Sequence, residues 1–433
     1  MRCDILHLTY SSAGRDVDIC EPILSYLEIK YGIYVERACM RDYAEKLYTL
    51  RPKIMLTETK GSDTDVNAVR FAKALGIKVV SVTGEGDYVP GKADIFFWGW
   101  NKPEYSQPDV ELLWSSRARK LIATELPETN ESRYNILVSG GTGFDRYKFF
   151  SFLKREQFLE KYNLVNYKMI VGFASWGFDV YDYRGDFKFH EKAGIELNRC
   201  LRKLIENNKD VLFILKFHPA SRNEEKTEFA GLREYKNVIA FHSEENIADL
   251  INVSDIWMGY ETTTCLEAWL LGKQTLLINP LGADFMRSEI AFGSPIMRNA
   301  EEVQNAINEY NHQGRIKAFA ELRERRKEII QDVIEYDDGK NHIRAGEIVY
   351  DLLVEKKENG QRDGFNWRMM LLKRKGQKKI VDFVCKFLPG RKKSFPLYSW
   401  FNEHYNEEER ENQHQKYLRG LKEFYNRYGD NIK

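Results

Sequence analysis

Residues 254–268 read Ser254-Asp255-Ile256-Trp257-Met258-Gly259-Tyr260-Glu261-Thr262-Thr263-Thr264-Cys265-Leu266-Glu267-Ala268. An apolar run opens after an acid, ends at Gly-Tyr-Glu, and passes through three hydroxyl residues into a helical pattern. This spacing predicts a strand at Asp255–Met258 and a helix at Thr263–Leu271. Leu271-Gly272-Lys273-Gln274 stops that helix with glycine, just before a second apolar run, Thr275–Ile278. Strand, helix and strand in immediate succession predict the βαβ unit of a parallel sheet.

The alternation continues outward in both directions. Toward the N-terminus it predicts strands at Lys168–Phe173, Val211–Lys216 and Val238–Phe241, with helices at His190–Asn207 and Glu245–Asn252. A further helix is expected at Glu301–Glu309. Before a polar helical segment, Phe149–Tyr162, lies another series. Its expected strands are Asp4–Thr9, Ile33–Arg37, Lys53–Thr57, Lys78–Val82, Ile95–Trp98 and Asn135–Val138; its helices are Cys20–Lys30, Tyr43–Leu50 and Asp65–Leu75. The expected fold is α/β: two doubly wound domains, 1–150 and 151–355, hinged near 145–165 and facing a cleft, with a helical tail at 356–433. No sequence repeat links the halves.

The 433 residues are ample for two cores, and 43% apolar with 13% aromatic residues excludes wholesale disorder. Lys+Arg 66 against Asp+Glu 65 argues against a whole-chain electrostatic nucleic-acid binder. No window resembles a membrane span, and the N-terminus is too charged for a signal peptide. Six scattered cysteines without Cys-x-x-Cys read as buried free thiols rather than a disulfide framework or zinc site.

Doubly wound sheets bind ligands beyond the carboxyl ends of their strands, so the residues just after strands carry the functional expectations. Glu85, between Gly84 and Gly86, follows the strand Lys78–Val82; it suits a general base, or simply completes a polar turn. His218 ends a strand and is fixed by Pro219, a position from which imidazole can meet a phosphate. Lys216 shares its side of the strand by alternation. Thr262, Thr263 and Thr264 exceed what an N-cap needs, which favours anion binding at the helix start over capping alone. Arg287 is a reserve phosphate or carboxylate partner, and Ser11 and Ser12 follow the first strand. Asp16-Val17-Asp18 and Asp63-Thr64-Asp65 read as helix openings rather than metal pairs. His190-Glu191 lacks the second histidine of a zinc-protease helix, and no Gly-x-Gly-x-x-Gly is present, so no dinucleotide site is expected.

Together these residues resemble the GT-B glycosyltransferases of bacterial surface-polysaccharide synthesis. The resemblance rests on residues 244–250, Ser254-Asp255, Glu261 with the three threonines, Glu267-Ala268 and Gly272-Lys273. A similar string occurs in sugar-nucleotide epimerases and polyol-phosphate transferases. His218-Pro219 resembles the His-Pro motif of bacterial sialyltransferases and Kdo transferases, and Gly84-Glu85-Gly86 their acidic motif, with Gly84 standing where relatives often carry a second acid. Asp338-Gly339-Lys340 is similar to a late motif of surface-carbohydrate proteins. The resemblance implies a nucleotide-sugar donor, a CMP-linked sugar acid ahead of a UDP sugar, moved to a glycan or lipid-linked acceptor. Glu85 would be the base or, in a retaining reaction, the nucleophile. His218 and Thr262–Thr264 would hold the donor phosphate, with Lys216, Pro219 and Glu261 around them, and Glu267 a ribose hydroxyl. Ser11, Ser12, Gly84 and Gly86 would line the acceptor side. No cofactor or metal is implied. A CDP-polyol phosphotransferase, a 2-epimerase and a non-catalytic scaffold are the competing expectations.

Segment 362–393 carries eleven Lys/Arg against two acidic residues, a net +9 within a total of +1, so the remainder carries −8. Its interleaved Trp, Met, Phe and Leu suit a helix on anionic lipid, holding a cytoplasmic enzyme at the inner face of the plasma membrane. The competing expectation is a helix packed back on the N-terminal domain. No nucleic-acid module is visible.

Overall fold

The structure is a computed structural model. It describes residues 3–58, 61–103, 106–126, 135–164, 167–180, 188–282, 287–355, 366–387, 401 and 404–428. The chain divides into two units, Met1–Phe150 with Gln331–Lys433, and Ser151–Ile330.

The first unit holds a six-stranded parallel sheet: β1 (Ile5–Thr9), β2 (Val35–Cys39), β3 (Ile54–Thr57), β4 (Lys78–Val82), β5 (Val110–Leu113) and β6 (Asn135–Val138). Their order is β2-β1-β3-β4-β5-β6. β1 and β3 are buried along their whole length, as strands covered by helices on both faces must be. The order reverses between β1 and β3, the switch point of this arrangement.

The second unit holds β7 (Met169–Ala174), β8 (Val211–Lys216), β9 (Val238–Phe241), β10 (Ile256–Gly259), β11 (Gln274–Ile278) and β12 (Ile296–Met297), all parallel. Their order is β12-β11-β10-β7-β8-β9, so its switch point lies between β7 and β10. The α/β class, the two doubly wound sheets and the added C-terminal helices are those expected.

One expected strand is a helix. Residues Ala93–Phe96 turn helically, and β5, which was not expected, occupies the place between β4 and β6. Ala93 and Phe97, four apart, are buried beside Leu113 and Ile122 while Ile95 faces outward, a helical period that so short an apolar run conceals. β5 was masked by Glu111, whose buried carboxylate accepts a hydrogen bond from Thr83 Oγ1 at 2.8 Å. The polar stretch around 149–162 is helical only at its ends, Arg146–Phe149 and Arg155–Lys161.

The boundary expected at 355 lies elsewhere. From Gln331 the chain belongs to the first unit, and the helix Asn341–Val354 packs on the helix Arg15–Tyr31. The rings of Tyr31 and Tyr350 stack at 3.7 Å, and Glu347 accepts hydrogen bonds from both Tyr31 (2.8 Å) and Lys30 (3.0 Å). The buried His342 joins Asp145 to the Tyr425 hydroxyl, both at 2.7 Å. Asp338-Gly339-Lys340 forms the turn that leads into Asn341–Val354, with Asp338 accepting from the Lys340 N–H and pairing with Arg344.

The tail also returns to this unit. On the helix Trp367–Phe387, Trp367, Met370 and Leu371 close the core around Tyr43 and Phe71. The helix Glu407–Tyr428 lies along Arg15–Tyr31. Between those two helices Glu21 is fully buried, and it accepts hydrogen bonds from Arg37 (2.7 Å), from Arg410 and from His414 (2.8 Å). Burial raises its pKa, but Arg37 and Arg410 outweigh that and hold the carboxyl well below the usual range. Breaking such a set leaves a buried charge uncompensated. Arg410→Ala is therefore expected to cost about 3 kcal/mol in urea unfolding; a change within about 0.5 kcal/mol would contradict this role.

Candidate functional site

In the second unit Gly259, Ala174 and Lys216 are level across three neighbouring strands, so the segments after β10, β7 and β8 leave the sheet side by side. β8 and β10 are two strand spacings apart, roughly 10 Å. This is the switch point, and His218 and Thr262 stand on either side of it.

His218 is positioned by backbone. The Ala220 N–H donates to its Nδ1 at 3.1 Å, which leaves the proton of the neutral ring on Nε2. The ring lies against Gly177, whose φ is +88° and where a Cβ would sit 3.0 Å from the imidazole Cγ. Glycine is needed there for both reasons. Pro219 stands in a tight turn closed by Ser221 N–H donating to the His218 carbonyl. Asp179, after β7, accepts from Ser221 Oγ (2.7 Å) and from the N–H groups of Arg222 (2.6 Å) and Asn223 (2.9 Å). The segments after β7 and β8 are thus tied together. Burial works against the Asp179 charge, but these donors hold its carboxyl below the ordinary range.

The threonines form a local network. Thr262 Oγ1 accepts from the Thr264 N–H at 3.2 Å and lies 2.8 Å from Thr264 Oγ1, which in turn accepts from Trp257 Nε1 at 2.8 Å. Thr262 thus takes up the first N–H of the helix Thr264–Leu270, whose N-cap residue Thr263 makes no side-chain capping bond. Thr263 is half-buried beside it, and Glu267 is buried in the first turn. Two residues expected as separate ligand contacts are paired with each other: Arg287 donates to Glu261 at 2.8 Å and to the Tyr260 carbonyl at 2.8 Å. Lys216 is turned toward β9, where its Nζ donates to the His242 carbonyl, and burial lowers its pKa.

Two groups at this edge carried no motif. His190, on the helix Lys188–Asn207, has Nδ1 3.0 Å from the Tyr260 hydroxyl and its ring 4.5 Å from that of Trp176. Burial, then the Arg287 charge, lowers its pKa. A histidine opening the helix that follows β7 was the available signal. Glu228 is fully buried behind the loop after β7 and accepts from Ser175 Oγ at 3.2 Å and the Trp176 N–H at 3.3 Å. Burial pushes its carboxyl up to about 7.

In the first unit Glu85 is half-buried and ion-paired with Arg15. Gly86 lies so close to the Trp114 ring that any Cβ would collide with it. Gly84 lies beside the Glu58 carbonyl. Ser11 Oγ donates to the Ala13 carbonyl at 3.0 Å. Ser12 is buried, with its hydroxyl on the Asn406 carbonyl at 2.8 Å, so it anchors the C-terminal segment. Asp16 and Asp65 open helices as expected, and Asp65 completes a capping box with Ser62. Glu58, which follows β3, has no sequence signature. It accepts from Thr9 Oγ1 at 2.7 Å, and burial raises its carboxyl to about 7.

Among the described residues two groups of side chains have metal-donor spacing, His7–Cys20–Glu58 and Glu21–Glu28–His414. Arg37 and Arg410 already neutralise the second. In the first, Arg410 donates to His7 Nδ1 at 3.2 Å, which puts the imidazole proton on Nε2, 3.5 Å from Glu58 Oε2. The five described cysteines, Cys3, Cys20, Cys39, Cys200 and Cys265, are buried and form no disulfide among the described residues; the side chain of Cys385 lies outside the described residues.

No family model matches the chain, and no curated protein matches it by sequence. Solved structures do match. The chain resembles MnaA of S. aureus in a co-structure with UDP, at 15% identity and TM-score 0.53, over 83% of this chain and 100% of that one. It also resembles a Neisseria meningitidis UDP-GlcNAc 2-epimerase bound to UDP-GlcNAc, at 11% identity and TM-score 0.51, over 82% and 100%. A third is a variant of the wall teichoic acid polymerase TagF soaked with CDPG, at 13% identity and TM-score 0.53, over 81% and 89%. The fold is GT-B-like.

The Glu228 carboxyl binds its proton more tightly in the folded state, about 7 against 4.5. Stability then falls as pH rises from 4.5 through 7 and stays lower above. Glu228→Gln should remove that loss, so in thermal unfolding the variant gains on the parent from pH 5 to pH 8. A difference constant across this range would refute the assignment.

Proposed function

We propose that this chain transfers a sugar from a nucleotide-activated donor to a glycan or lipid-linked acceptor. The observation that carries the reading is the place of His218: at a strand's carboxyl end beside the switch point, with its Nδ1 held by the Ala220 N–H. In this reading the donor phosphate lies along the ends of β8, β7 and β10, with Nε2–H and the hydroxyls near Thr262–Thr264 as its partners. As the acceptor oxygen attacks the anomeric carbon, the nucleotide leaves with the bonding pair, and hydrogen bonds to the developing phosphate charge lower the barrier. The acceptor proton goes to Glu85. Glu267 serves a ribose hydroxyl. In this reading the leaving phosphate is stabilised by hydrogen bonds from these groups, without a divalent metal. The His218-Pro219 resemblance favours a CMP-linked sugar acid.

A second reading is a sugar-nucleotide 2-epimerase, favoured by the fold shared with the UDP-GlcNAc 2-epimerase of Neisseria meningitidis. A CDP-polyol transferase is favoured equally by the fold shared with TagF. Melting temperature measured with CMP, CDP and UDP separates the donors, because a ligand at 100 times its Kd adds about 2.7 kcal/mol. CMP should raise it most, and His218→Ala should abolish most of the rise. If none of the three raises it, the nucleotide reading fails. Conversion of UDP-GlcNAc without acceptor would establish the epimerase instead.

We also propose that the chain works at a membrane surface. The helix Trp367–Phe387 buries Leu371 but exposes Met369 (65%) and Leu372 (72%), flanked by Arg368, Lys373, Lys375 and Lys379. Exposed apolar groups among cations suit anionic lipid. No helix among the described residues is long and apolar enough to cross a membrane. The chain should co-sediment with phosphatidylglycerol vesicles and not with phosphatidylcholine vesicles, and Leu372→Glu should weaken this without changing nucleotide binding. Equal recovery with both vesicle types would sink the idea.

A further inference from the structure

The switch point of the first unit carries an open groove of about 710 Å³. Its wall is built from the segment after β1 (Tyr10, Asp16), the segment after β3 (Ser62, Asp65) and the loop that contains Asp94, Trp98 and Lys102. Ligands of doubly wound sheets bind in the crevice at such a reversal of strand order.

Trp98 is 48% exposed, a large apolar area to leave in water. It is nonetheless held in place. Its Nε1–H donates to the Ile95 carbonyl at 2.6 Å, and it packs at Gly61, where any added Cβ would collide with the Trp98 Cβ. With its N–H engaged inside the loop, the partly exposed indole lines the groove. In the same wall the carboxyl groups of Asp16 and Asp94 have no hydrogen-bond or ion-pair partner among the described residues. Asp65 accepts from the Tyr10 hydroxyl at 2.7 Å, and that hydroxyl lies 2.8 Å from Ser62 Oγ. Burial and the Glu58 charge raise the Asp16 carboxyl to about 7.

A partly exposed indole in a wall that also holds three carboxyl groups suits a pyranose ring. The C–H face of the sugar, slightly positive, meets the negative quadrupole of the indole, and its hydroxyls donate to carboxylates. The charge of the described lining, three aspartates against Lys102, disfavours phosphate or carboxylate ligands. We propose that this groove is a binding subsite for an uncharged saccharide, stacked on Trp98 and hydrogen-bonded by Asp16 and Asp94. This rests on the transferase reading for its role, as the acceptor's subsite, but binding in the groove stands apart from it.

The test uses the full chain without nucleotide, titrated with methyl glucoside and N-acetylglucosamine, and in parallel with glucose 6-phosphate and N-acetylneuraminic acid. Saturation-transfer NMR and tryptophan fluorescence report binding. The neutral sugars should bind and the anionic ones bind more weakly. Trp98→Ala should weaken binding about five- to tenfold, matching one stacking contact. Asp94→Asn, which keeps shape at an exposed position, should also weaken it. Both variants should keep the nucleotide-induced rise in melting temperature. No neutral-sugar binding, preference for the anionic sugars, or affinity unchanged in both variants would overturn the proposal. Loss of the nucleotide effect in the parent chain alone would instead overturn the transferase reading and leave the groove.

Discussion

A parallel strand cannot follow its neighbour through a tight turn; the chain must first travel back along the sheet, usually as a helix. Every strand then points the same way, and all carboxyl ends share one edge. Both sheets here obey this constraint without exception among the described strands. The segments free to carry chemistry are those that leave that edge, and the reversal of strand order opens a crevice between two of them. Tyr10, Asp16, Glu58 and Glu85 are gathered in one unit for that reason. Ser175, Gly177, His218 and Tyr260–Thr264 are gathered in the other.

Apolar strands alone do not make these edges rigid. The loops beyond them are held by buried polar groups, each with donors matched to it. Glu228 fixes the turn after β7, Asp179 joins it to the turn after β8, and Trp114 donates to the Thr83 carbonyl beside Glu85. Leaving such a buried acceptor unsatisfied costs about 1–3 kcal/mol, so these loops have few alternative conformations. A histidine or carboxylate standing on them inherits that order.

Most strands were legible, because runs such as Ile54–Thr57 and Val211–Lys216 are apolar throughout and end in turn residues. So were the strand-end positions of Glu85, His218 and the threonines. Three kinds of information were not local. Val110–Leu113 contains a charge that only the Thr83 hydroxyl makes tolerable. Glu58 and Glu228 look like any acid until burial is known. The partner of Ser12 lies 394 residues away, at Asn406. Nor does anything near residue 331 announce a return to the first unit. The decision is made by pairings such as Asp145 with His342, which no window of sequence contains. The basic tail was read correctly as helical, but the docking of its Trp367, Met370 and Leu371 on a core follows from which face is covered.

The return of the chain at Gln331 also orders events during synthesis. The second unit is one uninterrupted stretch, Ser151–Ile330, and all its strands can pair as soon as that stretch has left the ribosome. The first unit is encoded in two pieces. Its sheet is made early, yet Glu21, on the helix that receives the last one, waits for Arg410 and His414 to arrive some 390 residues later. Until then the face of the helix Arg15–Tyr31 that receives the last helix stays open to solvent or to a chaperone. The unit made first is therefore the unit finished last.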